Sequence, residues 1–89
     1  MVDAQQWLDK NYPQERKNEI KFMDIRDKDL EGELKLDGFT HLEVLQCLKN
    51  KLTNLKIINC LNVRHLNVSC NELTDLNFLS GLDLEKLVF

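Results

Sequence analysis

The sequence predicts an α/β solenoid. Short units stack with a parallel sheet along one side and short extended segments on the other, behind an N-terminal helical cap. Three observations carry this. Apolar residues recur with a period of 21 from Leu42 onward. Within each period they alternate, which is the spacing of a strand rather than of a helix. Residues 1–19 lie outside the period and carry a helix-start signal instead.

The repeat comes first because it decides the architecture. Leu42, Leu45, Cys47, Asn50, Leu52, Leu55 and Ile57 return one full period later as Val63, Leu66, Val68, Asn71, Leu73, Leu76 and Phe78. A further copy begins with Leu84, Leu87 and Phe89. Looking back by 22 finds Ile20, Met23, Ile25 and Leu30. Leu34 and Leu36 stand where positions 56 and 58 would project, so the offset slips by one around Glu31-Gly32-Glu33. A glycine there can absorb the extra residue in a turn. The chain is therefore read as one domain, with a cap at 1–19, repeats at 20–41, 42–62 and 63–83, and a truncated repeat strand at 84–89. Each unit has a single apolar face that it cannot bury alone, and stacking joins those faces into one core.

Asn50 and Asn71 fall where strand becomes turn. A side-chain amide offers donors and an acceptor, so a stacked column of asparagines can satisfy backbone groups left unpaired there. Lys28 holds that place in the first unit, so the column is expected to start at Asn50.

On these residues the chain resembles leucine-rich-repeat proteins, in particular the class whose unit reads LxxLxLxxNxLxxLxLxxxxx. Residues 42–62, LEVLQCLKNKLTNLKIINCLN, show the pattern, and the resemblance covers residues 20–89. Cys47 replaces the usual aliphatic and Val63 replaces leucine, both small apolar exchanges that fit a core. The resemblance implies a curved solenoid that binds protein partners on its concave sheet. It implies no catalysis and no cofactor.

Composition narrows the function classes. At 89 residues the chain holds one core, and chains of this size bury only about 60–65% of their unfolded surface. Its 43% apolar and 30% charged residues describe a globular protein. A formal net charge of −3, from 12 basic and 15 acidic side chains, offers no footprint for nucleic acid. No apolar run approaches the roughly 20 residues that cross a bilayer. The opening MVDAQQWLDKNYP has neither the basic start nor the apolar middle of a signal peptide. A cytoplasmic protein is expected, secreted only if a signal has been removed. Cys47, Cys60 and Cys70 are odd in number, and their spacing matches no zinc or CxxC pattern, so reduced and mostly buried thiols are expected.

The two ends differ. Asp3 is a candidate N-cap with Gln6 three positions later, and Val2 is placed to staple onto Trp7. Trp7, Leu8 and Tyr12 are expected to close the core, and Pro13 to open a second helical turn through Gln14–Glu19. The last unit supplies only LEKLVF, one strand with nothing beneath it. Leu73, Leu76, Phe78 and Leu82 are expected to lie uncovered there, beside Leu84, Leu87, Val88 and Phe89. A free strand edge with apolar neighbours is a pairing surface. Three explanations stay open: a homodimer formed through this edge about a two-fold axis, a segment of a longer solenoid, or a tail that folds back as its own cap.

The second candidate surface is the concave face. If Leu45 and Cys47 point inward, their alternates point outward. That face carries Phe22, Asp24 and Arg26, then Val44, Gln46 and Leu48, then His65, Asn67 and Ser69, with Lys86 and Val88 last. Phe22, Val44 and Leu48 are expected to cluster as an apolar contact site for a protein partner. A His65–Cys70 nucleophilic pair is conceivable, but no residue is placed to orient the base. Asn67-Val68-Ser69 is a glycosylation sequon that matters only in the secretory pathway. The sequence thus points to a non-catalytic protein-interaction module that self-associates through its C-terminal edge. The alternative is the recognition or sensor part of a longer repeat protein, or of a multidomain kinase or receptor.

Overall fold

The computed structural model describes residues 2–89. In chain order these form β1 (Val2–Asp3), α1 (Ala4–Asn11), a 3-10 helix (Gln14–Glu19), β2 (Phe22–Asp24), β3 (Leu30–Asp37) and β4 (Val44–Gln46). There follow β5 (Lys51–Ile58), β6 (His65–Asn67), a short 3-10 turn (Asn77–Leu79) and β7 (Lys86–Val88). All strand pairs are parallel. They make a three-stranded sheet ordered β1-β3-β5 and a four-stranded sheet ordered β2-β4-β6-β7. Each circuit of the chain visits both sheets, giving a β-solenoid of about three turns with one helix.

The register follows the repeat. In the four-stranded sheet Met23 lies beside Leu45, and Leu45, Leu66 and Leu87 then line up from strand to strand. The first of these steps is longer than the others by one position, as the sequence offset requires. In the other sheet Gly32 lies beside Leu52 and Glu33 beside Asn54, so the pairing skips one position between them. The place where the sequence locates its slip, Glu31-Gly32-Glu33, therefore lies inside a strand and not in a turn. The pairing there has a β-bulge of the opposite sense, with Thr53 unpaired on β5 and Gly32 at φ +86° beside it. The first corner between the sheets holds two left-handed residues, Asp27 (φ 53°) and Asp29 (φ 57°), where the later corners hold Lys49 (φ 59°) and Cys70 (φ 57°).

The core fills the space between the sheets. Met23, Ile25, Leu30, Leu34, Leu36, Leu42, Leu45, Leu52, Leu55, Val63 and Leu66 are buried, as the alternation requires. Phe39 and Cys60, one repeat apart at the far corner, join it. Asn50 is the buried polar residue among them, 6% exposed. Its Oδ1 accepts from the Lys28 and Leu30 amides, both at 3.1 Å, and its Nδ2 donates to the Ile25 carbonyl at 2.9 Å. Asn71 repeats this one coil later, accepting from the Leu52 amide at 3.0 Å. The column begins at Asn50, as Lys28 in the first unit requires.

At the N-terminus the Asp3 carboxylate caps α1 by accepting from the Gln5 amide, 3.2 Å, and Pro13 precedes the 3-10 helix. Val2 also serves as a strand residue beside Leu30. The helix packs on β3, burying Ala4 and Leu8, while Trp7 and Tyr12 are half-buried with ring centroids 6.0 Å apart. Gln5 fixes the helix to the sheet, accepting from the Lys35 amide at 2.7 Å.

Two expectations need correction. The extended segments opposite the four-stranded sheet are not short, since β3 and β5 have eight residues each against three in β2, β4, β6 and β7. The third unit does not repeat them. Residues 72–79 turn through the 3-10 segment instead, and the three-stranded sheet ends at β5. Of the cysteines, Cys47 and Cys60 are buried, but Cys70 is exposed on its left-handed corner.

Candidate partner-binding surfaces

The four-stranded sheet arranges its outward residues in three rows. Phe22, Val44, His65 and Lys86 are paired across neighbouring strands in the first row. Asp24, Gln46, Asn67 and Val88 form the second. Arg26, Leu48 and Ser69 extend beyond the strands, tied by Asp27 N–H to the Leu48 carbonyl and Lys49 N–H to the Ser69 carbonyl, both 3.0 Å. Phe22, 57% exposed, thus lies beside half-buried Val44. Leu48 stands four positions from Val44, about 13 Å along a strand, with Gln46 between them. The expected cluster of three is therefore a pair, because residues on one strand that share a face are separated by its rise.

Polar groups on this face are largely engaged. Arg26 Nε lies 3.3 Å from the Asp24 carboxylate, and Asn67 Oδ1 accepts from the Ser69 hydroxyl at 2.8 Å. His65 Nε2 is 3.5 Å from the Glu85 carboxylate. Gln46, His65, Asn67, Lys86 and Val88 line a dent of only about 100 Å³. Exposed ion pairs of this kind contribute about 0–1 kcal/mol, so they decorate the sheet without fixing a ligand geometry.

The C-terminal end is more open. Both sheets finish on an edge strand at this end, β5 in one and β7 in the other. Glu72 N–H donates to the Leu52 carbonyl, 2.9 Å, before the chain turns away from β5. A groove of about 300 Å³ results, lined by Asn54, Leu55, Lys56, Ile57 and Ile58 on one side and Asp75, Asn77 and Phe78 on the other. Leu76 and Phe89 are 47% and 69% exposed, and Leu73, Leu82, Leu84, Leu87 and Val88 are half-buried. Phe78 corrects the expectation. It is buried at 4%, because the 3-10 turn tucks its ring into the core instead of leaving it at the edge.

Two charge columns run up the stack. Apolar periodicity passes over them, although the same steps of 22 and then 21 residues contain them. Lys21, Glu43, Arg64 and Glu85 follow one another where each coil enters the four-stranded sheet. Their backbones are bonded in succession, Glu43 to Lys21 at 2.8 Å, Arg64 to Glu43 at 2.9 Å and Glu85 to Arg64 at 2.8 Å. Asp29, Lys51 and Glu72 follow one another at the opposite corner, with Lys51 Nζ 3.2 Å from the Asp29 carboxylate. Reading the repeat register for charge as well as for apolar residues finds both.

Among the described residues, no helix is long and apolar enough to cross a membrane. No group of His, Cys, Asp and Glu there is arranged to hold a metal ion. Comparison of the chain with protein families, curated proteins and solved structures finds no match.

Proposed function

We propose that this chain is a leucine-rich-repeat module that binds protein through its open C-terminal end, without catalysis. The repeat identity is supported by the aligned Leu45, Leu66 and Leu87 and by the asparagine column. The binding role rests on one observation: two parallel sheets end on edge strands at the same face, with Leu76 and Phe89 exposed between polar neighbours. An edge of this kind offers main-chain hydrogen bonds and apolar area together, the combination that strand-addition interfaces use.

Light scattering across a dilution series tests the reading, with Leu76→Lys and Phe89→Lys as variants. Both side chains are exposed, so the core is spared. A mass near twice 10.5 kDa that falls to the monomer in the variants gives the end to a second copy. A monomer in every case gives it to a different protein. A dimer that both variants leave intact places the interface elsewhere and overturns the reading.

A further inference from the structure

We propose that the open end takes a protein segment that is apolar along its middle and cationic at two fixed positions, opposite Glu72 and Glu85, rather than a second copy face to face. The inference rests on the reading that this end is the binding surface.

The two charge columns carry it. Lys21, Glu43, Arg64 and Glu85 alternate in sign at every step, as do Asp29, Lys51 and Glu72. Neighbours in a parallel stack lie about 4.8 Å apart, a distance at which opposite charges are favoured and like charges disfavoured. The sign alternates at every step of these columns, and Lys51 and Asp29 meet as an ion pair at 3.2 Å. The last described member of each column is a carboxylate, and both lie towards the same face. The coil that continues the stack therefore presents a cation at each place.

The charge of the whole end agrees. Residues 72–89 hold Glu72, Asp75, Asp83 and Glu85 against Lys86 alone, so their side chains carry the chain's entire net charge of −3. All four carboxylates are exposed around the half-buried leucines. Two copies meeting about a two-fold axis would set this acidic rim against itself, and such juxtaposition selects against a partner. A basic-flanked apolar segment meets the rim with the opposite sign, and its backbone meets the free edge of β7.

The probe is a synthetic peptide with the sequence of residues 51–68, a strand-corner-strand carrying Lys51 and Arg64 at the two ladder positions. Its control carries Lys51→Glu with Arg64→Glu. Each is titrated into the full chain while backbone amide shifts are followed by NMR. Shifts confined to residues 72–89 are expected, with the control roughly tenfold weaker and the preference reversed in a Glu72→Lys, Glu85→Lys chain. Equal binding of both peptides at this end overturns the charge rule and leaves the end as a binding surface. A stable dimer that excludes the peptides also overturns the inference, in favour of a second copy. Shifts from neither peptide in a monomeric chain overturn both readings.

Discussion

Asn50 and Asn71 share an acceptor: each side-chain amide donates to the Cys47 carbonyl, at 3.1 and 2.9 Å. For Asn50 that carbonyl belongs to its own coil, and for Asn71 to the coil before. The column thus rivets successive turns together at a corner where strand hydrogen bonds run out. Asn50→Ala strips partners from buried groups, the Leu30 amide and the Ile25 carbonyl among them. Each such buried group left unpaired costs about 1–3 kcal/mol. Urea denaturation is expected to show Asn50→Ala losing about 2–4 kcal/mol and Asn71→Ala less, since Asn71 is only half-buried. Equal losses at the two positions would mean that burial does not govern the column.

Leu66 tests the inward face. It is 2% exposed and sits between Leu45 and Leu87 in the sheet. Leu66→Asp puts an unpaired charge into the core and is expected to abolish the cooperative thermal transition. Leu61→Asp, at a residue 79% exposed, is expected to stay within about 0.5 kcal/mol of the parent. A cooperative melt of Leu66→Asp near that of the parent sinks the assigned register.

Backbone at positive φ gives a pair of opposite expectations, one inside β3 and one at a corner. No atom lies within 4 Å of where a Cβ would stand at Gly32, whose φ is +86°. Gly32→Ala therefore isolates conformational cost and is expected to destabilise by about 1 kcal/mol. Lys49 already bears that cost at φ 59°. Lys49→Gly relieves about 1–2 kcal/mol of left-handed strain and restores about 0.5–1 kcal/mol of unfolded-state freedom, so a small net stabilisation is expected in the same denaturation assay.

Burial pushes the Cys47 thiol up to about 12 from an ordinary 9.0. The Cys60 thiol is also raised, chiefly by burial, while its hydrogen bonds to backbone act the other way. Below pH 9 both folded and unfolded thiols hold their protons, so the shift leaves stability unchanged. Between about 9 and 12 the unfolded chain releases the Cys47 proton and the folded one keeps it. Stability is then expected to fall by about 1.4 kcal/mol per pH unit through Cys47, and Cys47→Ala to flatten that slope in alkaline denaturation. At pH 8 an alkylating reagent is expected to modify exposed Cys70 and spare buried Cys47 and Cys60 in the folded chain. Modification of all three at similar rates would contradict the burial of the first two.

The stack itself was legible in the sequence. Alternation within a 21-residue period leaves each unit with one apolar face, and only stacking buries it, so Leu45, Leu66 and Leu87 had to align. The asparagine column and the Asp3 cap were legible for the same local reason, since each satisfies backbone groups at a predictable place. The third unit shows where local pattern stops deciding. Leu73-Thr74-Asp75-Leu76-Asn77-Phe78 matches Leu52-Thr53-Asn54-Leu55-Lys56-Ile57 position for position, yet only the second stretch is a strand. Asn54 reaches Glu33 across the sheet at 3.3 Å, whereas Asp75 accepts from the Asn77 amide at 3.0 Å and turns the chain. A strand is stabilised by neighbours rather than by its own residues. The units inside the stack have a neighbour on each side, and the last described unit has one. That difference in partners, which only the tertiary structure contains, opens the β5 groove and buries Phe78.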